Sequence, residues 1–344
     1  MGSGKARVAA TRSIVAFLSV ITGATASVVA GPLPPANTGH FYVGNYQGDD
    51  VVVFDGSGAV TRHFSDPDLD GPRGIVIGPR GRIFVAAQKS DSIVVFDADE
   101  NCVDTFTDPE LVAPTGLAFG RGGVLYACSS GNDRIVAFAP DGTLVGSFTA
   151  RGLKKPACIA TDGRTVFVAG AGSPWIFRFS ADGTPRGWFT GGGLVSPAGI
   201  ALAGGLLYVS DRGSGRVVVL DRDGTVQAEL SHRDLAGPRG LAFDDRRHRF
   251  VSCCFRNWIV EFDPSGRYVR TIAGGQLSFP GGVAFSSMPI GDVDDDGSVG
   301  LLDFGKLLAG WGTCPAPPER CRADANRDGT VDVGDLFIVL ANWD

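Results

Sequence analysis

Short runs of β-branched and aromatic residues, separated by turns of glycine, aspartate and proline, make up most of the chain between residues 39 and 286. One unit reads Pro72-Arg-Gly-Ile75, Arg82-Ile-Phe-Val, Ser92-Ile-Val-Val-Phe96 and Val103-Asp-Thr-Phe106. Such runs, bounded by turn residues, are typical of β-strands. Asp-Gly pairs between two runs, as at Asp141-Gly142, favour hairpins. The pattern therefore predicts an antiparallel, mostly β structure.

These runs recur in a fixed order and with a fixed period. The phrase Pro-x-Gly-aliphatic places its proline at 72, 114, 156, 197, 238 and 280, so consecutive copies are 41 or 42 residues apart. Each period holds four predicted strands, which is the content of one β-propeller blade. A period of this kind predicts a repeat architecture more reliably than any local choice between helix and strand.

The two ends of this region complement each other. Three strands are predicted at 39–43, 50–54 and 60–64 without an inner strand before them, whereas Pro280-Gly-Gly-Val-Ala-Phe285 is an inner strand with no blade after it. Pairing of the two ends gives a sixth blade and removes sheet edges that would invite aggregation. We therefore predict a six-bladed β-propeller over residues 39–286, with four-stranded antiparallel blades, one of them closed by the N- and C-terminal strands.

The repeat resembles that of the NHL-repeat family of six-bladed propellers. The resemblance is clearest in Pro197-Ala-Gly-Ile-Ala201, Leu207-Tyr-Val-Ser-Asp211 and Arg216-Val-Val-Val-Leu-Asp221, and it covers about residues 39–286. The chain departs from the family phrase at Cys158, where the family has glycine, and at Pro174-Trp175, where a polar turn is usual. Neither departure disturbs the period.

A different pattern occupies residues 291–344. Two twelve-residue segments, 292–303 and 324–335, carry oxygen-bearing side chains at positions 1, 3 and 5, glycine at position 6 and aspartate at position 12. This arrangement is typical of an EF-hand-like calcium loop, because short side chains converge around a glycine turn and a last carboxylate closes the shell. The copies are offset by 32 residues. Apolar positions at helical spacing follow each loop: Phe304, Leu307, Leu308, Trp311 and Leu336, Val339, Leu340, Trp343.

The two loop–helix units are expected to pack into a small α-helical domain, and they resemble a type I dockerin. The resemblance implies two bound calcium ions and docking onto a cohesin-type or cell-surface protein, as in polysaccharide-degrading assemblies. Positions 10 and 11, which read the cohesin in that family, are Leu301-Leu302 and Val333-Gly334 here rather than small hydroxyl pairs. The implied ligands are Asp292, Asp294, Asp296, Ser298 (through its carbonyl) and Asp303 in the first loop, and Asp324, Asn326, Asp328, Thr330 (through its carbonyl), Asp332 and Asp335 in the second.

The N-terminus has the pattern of a secretory signal peptide. Lys5, Arg7 and Arg12 accompany a short apolar run at 13–21, and small residues allow cleavage after Ala26 or Ala30. We therefore expect residues 1–30 to be removed and the protein to be secreted or surface-associated; a retained anchor is the alternative. No later apolar run approaches the length of a membrane span.

The distribution of charge along the chain indicates which classes of partner the protein can bind. The formal net charge is −6, and residues 291–344 hold eleven acidic against four basic residues. The acidity therefore belongs mainly to the predicted calcium region. The propeller region has no basic excess of the kind that favours nucleic acid.

Seven cysteines leave at least one thiol unpaired within the monomer. Cys314 and Cys321 flank the segment between the two loops and are candidates for a disulfide in an oxidising compartment. Cys253 and Cys254 are expected to be buried free thiols, because a bridge between neighbours would be strained. No pairing follows from the sequence for Cys102, Cys128 and Cys158.

Propeller enzymes usually gather metal ligands or acid–base residues at one mouth of the central channel. The histidines occupy different repeat positions, so a zinc site like that of the amidating lyases is not expected: His40, His63, His232 and His248. The strand-end position that we expect to face the mouth reads Asn45, Ala87, Ser129, Gly170, Asp211 and Cys253. Of these, only Asn45 and Asp211 could serve a metal or an acid–base step, and a role as polar turn residues is the alternative.

Arg73, Arg239 and Arg212 are expected beside Asp211 in the loops around the mouth, as solvated surface charge or as ligand contacts. We expect a non-catalytic recognition protein whose propeller binds a protein or glycan and whose calcium-dependent tail provides attachment. The alternative is an enzyme, a gluconolactonase-like or amidating-lyase-like propeller acting through Asp211 and Asn45. In a third interpretation the tail only stabilises the propeller.

Overall fold

The computed structural model describes residues 39–171, 173–272, 275–286, 301–314, 323–324 and 330–341. Within these residues, six four-stranded antiparallel sheets follow one another along the chain. Five of the sheets are built from four consecutive strands, and the sixth combines the last long strand with the first three. The predicted six-bladed β-propeller is therefore confirmed.

The innermost strand of every blade begins at the proline of the repeated phrase, as predicted. These strands are β4 (Pro72–Ile77), β8 (Pro114–Phe119), β12 (Pro156–Thr161), β16 (Pro197–Ala203), β20 (Pro238–Phe243) and β24 (Pro280–Ser286). The second strands are β1 (His40–Asn45), β5 (Ile83–Ala87), β9 (Leu125–Ser129), β13 (Thr165–Gly170), β17 (Leu206–Asp211) and β21 (Arg249–Cys253).

The third and fourth strands complete each blade towards its outer edge. The third strands are β2 (Asp50–Phe54), β6 (Ser92–Phe96), β10 (Arg134–Phe138), β14 (Ile176–Ser180), β18 (Arg216–Leu220) and β22 (Trp258–Phe262). The outermost strands are β3 (Val60–Phe64), β7 (Cys102–Thr107), β11 (Leu144–Phe148), β15 (Pro185–Phe189), β19 (Val226–Ser231) and β23 (Tyr268–Ile272). Two short 3₁₀ turns, Pro79–Gly81 and Arg121–Gly123, follow β4 and β8.

The ring closes through the pairing of β24 with β1. The two strands run antiparallel, with Phe41 opposite Phe285 and Val43 opposite Val283. The hydrophobic core lies between neighbouring blades, in six clusters of buried side chains, one for each pair of blades. The second and third strands are buried almost throughout, because each is covered by a blade on both faces.

Polar residues in left-handed conformation fix the loops at the end of the ring where the innermost strands begin. Each of them accepts a hydrogen bond from the amide of the residue just before the repeated proline of the next blade. We call these four contacts the loop latches: Gly71 N to Asp49 Oδ1 at 2.9 Å, Ala113 N to Asp91 Oδ1 at 2.6 Å, Lys155 N to Asp133 Oδ1 at 2.8 Å and Phe279 N to Asn257 Oδ1 at 2.8 Å. Since φ is positive at both residues of each latch, the bond holds a backbone that side chains usually avoid.

Beyond the propeller, a helix follows each predicted calcium loop. The described elements are α1 (Leu301–Ala309), β25 (Gly312–Thr313), β26 (Thr330–Val331) and α2 (Val333–Ala341), and β25 pairs with β26. No described helix has the length and hydrophobicity needed to cross a membrane. Residues 1–38, including the predicted signal peptide, lie outside the described part.

The predicted apolar faces of the two helices are only partly buried. Leu307 and Val339 are fully buried, with Phe304 and Leu336 packed against them. Leu308 in α1 is 48% exposed, and Trp311, which lies two residues beyond the end of α1, is 46% exposed, so the described residues bury less of the predicted apolar face than expected. Trp343 lies outside the described residues.

Candidate functional site

A cavity of ≈ 190 Å³ lies on the propeller axis, at the end where the innermost strands begin. All six blades contribute to its wall, through the first residues of the innermost strands and the loops that follow the second strands. We call it the mouth cavity. Its described lining is Arg73, Gly74, Gln88, Thr115, Gly116, Ser130, Lys155, Pro156, Ala157, Cys158, Ala171, Ala198, Arg239, Gly240, Gly281 and Gly282.

Arg73 enters the mouth cavity from the second position of β4. Its guanidinium carbon lies 4.0 Å from the centre of the Tyr46 ring, an arrangement that favours the cation through the ring quadrupole. Its Nε donates a hydrogen bond of 2.9 Å to Oε1 of Gln88. Stacking and hydrogen bonding together leave the side chain little rotational freedom, so the charge is held in one place.

Arg239 enters from the equivalent position of β20. Its guanidinium carbon lies 5.2 Å from the centre of the Phe279 ring, and that of Arg73 lies 5.3 Å from the same ring. One ring is therefore shared by two cations. Nη1 of Arg73 and Nε of Arg239 are buried without a hydrogen-bond partner. Leaving a buried donor unsatisfied costs about 1–3 kcal/mol, more when the group is charged.

The charged side chains of the described wall of the mouth cavity are all positive. Its described lining includes three cations, Arg73, Lys155 and Arg239, and no aspartate, glutamate or histidine. Burial, and after it repulsion from Arg239, lowers the pKa of Arg73 to about 10. Burial also lowers the pKa of Arg239, and Arg212 adds to this repulsion. A lowered pKa means that the surroundings disfavour the charged form of each arginine. A bound anion would favour the charged forms and raise both pKa values again.

The other polar groups of the wall are used to hold the loops. The Thr115 hydroxyl donates to the carbonyl of Pro156 at 2.8 Å, and the Ser130 hydroxyl donates to the carbonyl of Ala113 at 2.7 Å. Cys158, which replaces the expected glycine, accepts a hydrogen bond of 3.1 Å from the amide of Ile200. The departure from the repeat at Cys158 is therefore accommodated by a contact with the neighbouring innermost strand.

Phe279 is held in a strained conformation beside the two arginines. Its φ is 58°, in the left-handed region, and its amide is bound by Asn257 in a loop latch. A bulky residue there costs about 1–3 kcal/mol, which the surrounding contacts must offset. The ring lies 5.8 Å from that of Tyr46. The aromatic support of both arginines is thus fixed by backbone geometry.

The strand-end residues proposed from the sequence do not face the mouth. Asp211 is fully buried and accepts hydrogen bonds from the amides of Val195 and Ser196 and the hydroxyl of Ser214. Asn45 is 2% exposed; its Nδ2 donates to Asp50, and its Oδ1 accepts from the amide of Ser278. Their side chains turn towards the connecting loops, whereas the residue after the strand, such as Gln88 or Ser130, lines the cavity. In the structure, both catalytic candidates therefore hold loops in place through these hydrogen bonds.

The interpretation of Arg73 and Arg239 as solvated surface charge is also wrong. Both are partly buried, with Nη1 of Arg73 and Nε of Arg239 shielded from solvent, because the rings of Tyr46 and Phe279 lie against them. The sequence position that marks the wall is the second residue of each repeated phrase, which lines the cavity in all six blades. In three blades the residue after the second strand joins it, at Gln88, Ser130 and Ala171.

The histidines lie in separate parts of the ring. His40 belongs to β1, His63 pairs with Asp50 at 2.7 Å, the His232 ring stacks on Tyr268 at 3.8 Å, and His248 pairs with Glu261 at 2.6 Å. The five described cysteines of the propeller are free thiols, and Cys253 and Cys254 are buried as predicted. Cys321 lies outside the described residues, so its disulfide with Cys314 stays a prediction.

Five of the predicted calcium ligands fall in the described part of the chain. Asp303 and Asp335, the closing carboxylates of the two loops, lie in the first turns of α1 and α2 and are 1% and 0% exposed. Thr330 is in β26, and Asp324 and Asp332 are also described. Asp292, Asp294, Asp296, Ser298, Asn326 and Asp328 lie outside it. Within the described residues, no three His, Cys, Asp or Glu side chains are grouped to hold a metal.

No protein-family model matches the chain, and no curated protein sequence matches it. Among solved structures, the nidogen/laminin complex contains a similar fold, with a TM-score of 0.62 and 17% identity over 72% of this chain and 98% of that one. Streptogramin B lyase gives 0.57 and 15% over 73% and 89%. The catalytically inactive virginiamycin B lyase from Staphylococcus aureus, with quinupristin, gives 0.57 and 13% over 74% and 94%. At these identities the likeness establishes a shared six-bladed propeller fold.

Proposed function

We propose that this chain is a secreted, non-catalytic recognition protein. Its propeller, built of NHL-like repeats, binds a protein or glycan ligand at the mouth. Its C-terminal region is a dockerin-like module that holds two calcium ions and attaches the protein to a cohesin-type or cell-surface partner. Recognition at the mouth is supported above all by the mouth cavity, a concave site on the axis in which two partly buried arginines each have one buried nitrogen without a hydrogen-bond partner.

Rigid presentation of the wall supports recognition at the mouth. The loop latches and the supports at Asn45 and Asp211 fix the loops that carry the wall residues, so little order has to be gained on binding. A similar fold belongs to the nidogen/laminin complex, a protein assembly. A preformed concave site with a few placed polar groups is the usual form of a ligand site.

The test of the mouth is a blocking variant. Ala198 lines the cavity, so Ala198→Trp fills it without changing any charge. Ligands found by screening glycan and peptide arrays with the full chain should lose binding in this variant and remain chemically unchanged after incubation. Ala228→Trp, on the exposed face of β19, is the matched control and should bind like the wild type. Equal binding by Ala198→Trp would exclude the mouth as the recognition site.

Calcium binding by the C-terminal region is supported by the chemistry of the donors. The proposed ligands are all oxygen donors, most of them carboxylates, as a hard cation requires. Asp303 and Asp335 occupy matching places, at the start of α1 and of α2, and both carboxylates are buried. The calcium ions, when bound, would neutralise part of this acidity and tie each loop to its helix.

Calcium should therefore control the folding of this region. We expect calcium titration of the full chain to release heat with about two sites and to raise a thermal transition that EDTA lowers. Asp303→Ala combined with Asp335→Ala should abolish both effects, whereas Asp245→Ala, in an exposed propeller loop, should not. Calorimetry and circular dichroism measure this. Transitions that are the same in calcium and in EDTA would contradict the proposal.

Attachment needs its own experiment. Affinity purification from native extracellular material should capture a cohesin-type or surface partner in calcium and release it in EDTA. The Asp303→Ala, Asp335→Ala chain should capture none. Capture that is equal with and without calcium would overturn the attachment half and leave recognition at the mouth unaffected.

The second candidate function is that of a propeller lyase or lactonase targeted by the tail. The convergence of polar side chains in the mouth cavity and the fold shared with streptogramin B lyase favour it. Two arginines could stabilise an oxyanion formed during such a reaction. Incubation with streptogramin B antibiotics and with sugar lactones, followed by mass spectrometry, separates the two functions. An enzyme would convert these compounds with turnover, and Ala198→Trp would abolish the conversion. A recognition protein would leave them unchanged.

A further inference from the structure

The two arginines of the mouth cavity lack the counter-charge that buried cations normally have. In folded proteins a buried charge is paired or solvated, because an isolated one is strongly disfavoured. Here Nη1 of Arg73 and Nε of Arg239 are buried without acceptors, and no carboxylate belongs to the described wall. Lys155 adds a third cation at the same wall. A negative charge placed in the cavity would therefore be stabilised by these cations.

The size of the cavity limits what can enter. At ≈ 190 Å³ it is smaller than the about 300–1,000 Å³ that pockets for drug-sized ligands occupy. A whole oligosaccharide or peptide does not fit inside, but one substituent or one terminal group does. The cavity therefore selects a single chemical group at the tip of a larger ligand.

The aromatic faces beside the cavity are already occupied. Arg73 covers the ring of Tyr46 at 4.0 Å, and both guanidinium groups flank the ring of Phe279. The ring faces that the guanidinium groups cover are not available for a sugar ring to stack on. What the site offers a ligand is N–H donors in the fork geometry of arginine, which matches the oxygens of a carboxylate, sulfate or phosphate.

We propose that the mouth cavity binds one small oxyanion group of the ligand between Arg73 and Arg239. The inference rests on the proposed recognition function of the mouth and names the chemistry that the mouth reads. The group is a carboxylate, sulfate or phosphate, carried by an acidic sugar or by an acidic amino acid. A neutral ligand of the same shape would leave both arginines unpaired and bind weakly.

The experiment compares matched probes on the full chain by calorimetry or ligand-observed NMR. D-Glucuronate and D-glucose are a sugar pair that differs chiefly in a carboxylate. N-acetyl-aspartate amide and N-acetyl-asparagine amide are the corresponding amino-acid pair. Inorganic sulfate and phosphate test binding of the bare ion. We expect saturable binding of at least one acidic probe, weakened by salt, and no binding of its neutral match. The stronger of the two carboxylate probes shows which source the ligand uses.

Variants assign the binding to the two arginines. Arg73→Gln and Arg239→Gln should each weaken the acidic probe about tenfold or more. The thermal transition of each ligand-free variant is measured as well, because Arg73→Gln also removes the stacking on Tyr46 and the hydrogen bond to Gln88. Arg186→Gln, on the exposed face of β15, is the matched control and should bind as the wild type does.

The outcomes separate this inference from the function on which it rests. If Ala198→Trp abolishes binding of an array ligand but neutral probes bind as well as acidic ones, recognition stands and the oxyanion inference is overturned. Absence of saturable binding of every acidic probe by the wild-type chain also overturns the inference. If array ligands are indifferent to Ala198→Trp, the recognition function itself fails.

Discussion

The glycine of each Pro-x-Gly phrase lies where the innermost strands approach one another around the axis. A Cβ added to Gly199 would be 1.7 Å from the carbonyl oxygen of Arg239, and one added to Gly74 would be 2.0 Å from that of Thr115. The neighbour is backbone in both cases, so it cannot move aside as a flexible side chain would. Five of the six copies keep glycine there, where the strands converge on one axis, and the remaining copy has Cys158, which contacts the neighbouring strand through Ile200.

Gly199→Ala should therefore destabilise the propeller by at least about 2 kcal/mol, since the strands must separate to admit one methyl group. Chemical denaturation with a fluorescence or circular dichroism readout measures the change in the free energy of unfolding. Gly146→Ala is the matched control on β11, because a Cβ there meets nothing within 4 Å. An unchanged midpoint for Gly199→Ala would contradict the close approach.

Single residues also mark the limit of what the sequence predicts about the site. Asn45 and Asp211 were expected at the mouth because they end a strand, but their side chains hold loops, and in three other blades the residue after the second strand lines the cavity instead. The burial of Arg73 depends on Tyr46 and Phe279, which come from distant parts of the chain. Such a contact between blades leaves no local pattern.

The outer hairpins depend on carboxylates that bind their own turns. Hydrogen bonds from the turn lower the pKa of the carboxyls that stand between third and fourth strands: Asp141, Asp182, Asp221 and Asp263. In Asp182 the Ser180 hydroxyl, followed by the Thr184 amide, lowers the pKa to about 2. These turns repeat around the ring, so their protonation acts on several blades together.

Acid should weaken the hairpins in a defined range. A carboxyl whose pKa is lower in the folded than in the unfolded chain stabilises the fold above the unfolded pKa of about 3.9 and loses this contribution as pH falls towards the folded value. We expect urea midpoints to be steady above about pH 5 and to fall between about pH 4 and 2. Asp182→Asn should make this fall shallower, and Asp245→Asn, in an exposed loop, should not.

The elements themselves were largely predictable. Each innermost strand starts at the proline that the repeat marks, and the Asp-Gly turns join third and fourth strands, because both signals are local and sterically strict. The helices after the two loops follow from helical spacing of apolar residues. The exposure of Leu308 and Trp311 was not predictable, since it depends on how much of α1 the neighbouring segments cover.

The whole ring depends on β24, which is the innermost strand of the first blade. Val283 and Ala284 are buried in the clusters on either side of that blade. Without β24, the edge of β1 would be unpaired and two core clusters would open to water. The 41- to 42-residue period predicted this closure, because six innermost strands were counted but only five complete units lay between them.

Truncation tests the closure directly. A chain that ends at Phe279 should lose its cooperative thermal transition and aggregate, whereas a chain that ends at Ser286 should keep the transition of the propeller. Size-exclusion chromatography and near-ultraviolet circular dichroism distinguish the two. A monomeric, cooperatively folded chain ending at Phe279 would show that five blades suffice.

The mouth cavity borders the blade in which β24 pairs with β1 and closes the ring. Gly281 and Gly282 in its wall belong to the closing strand β24, and Arg73 belongs to the next innermost strand, β4. A ligand in the cavity would contact β24 and β4 at once. Its binding energy would therefore add to the β24–β1 pairing that holds the two ends of the propeller together. At ten times its dissociation constant, a ligand adds about 1.4 kcal/mol to the stability of the form that binds it. The protein would then open its ring least readily while it holds its ligand.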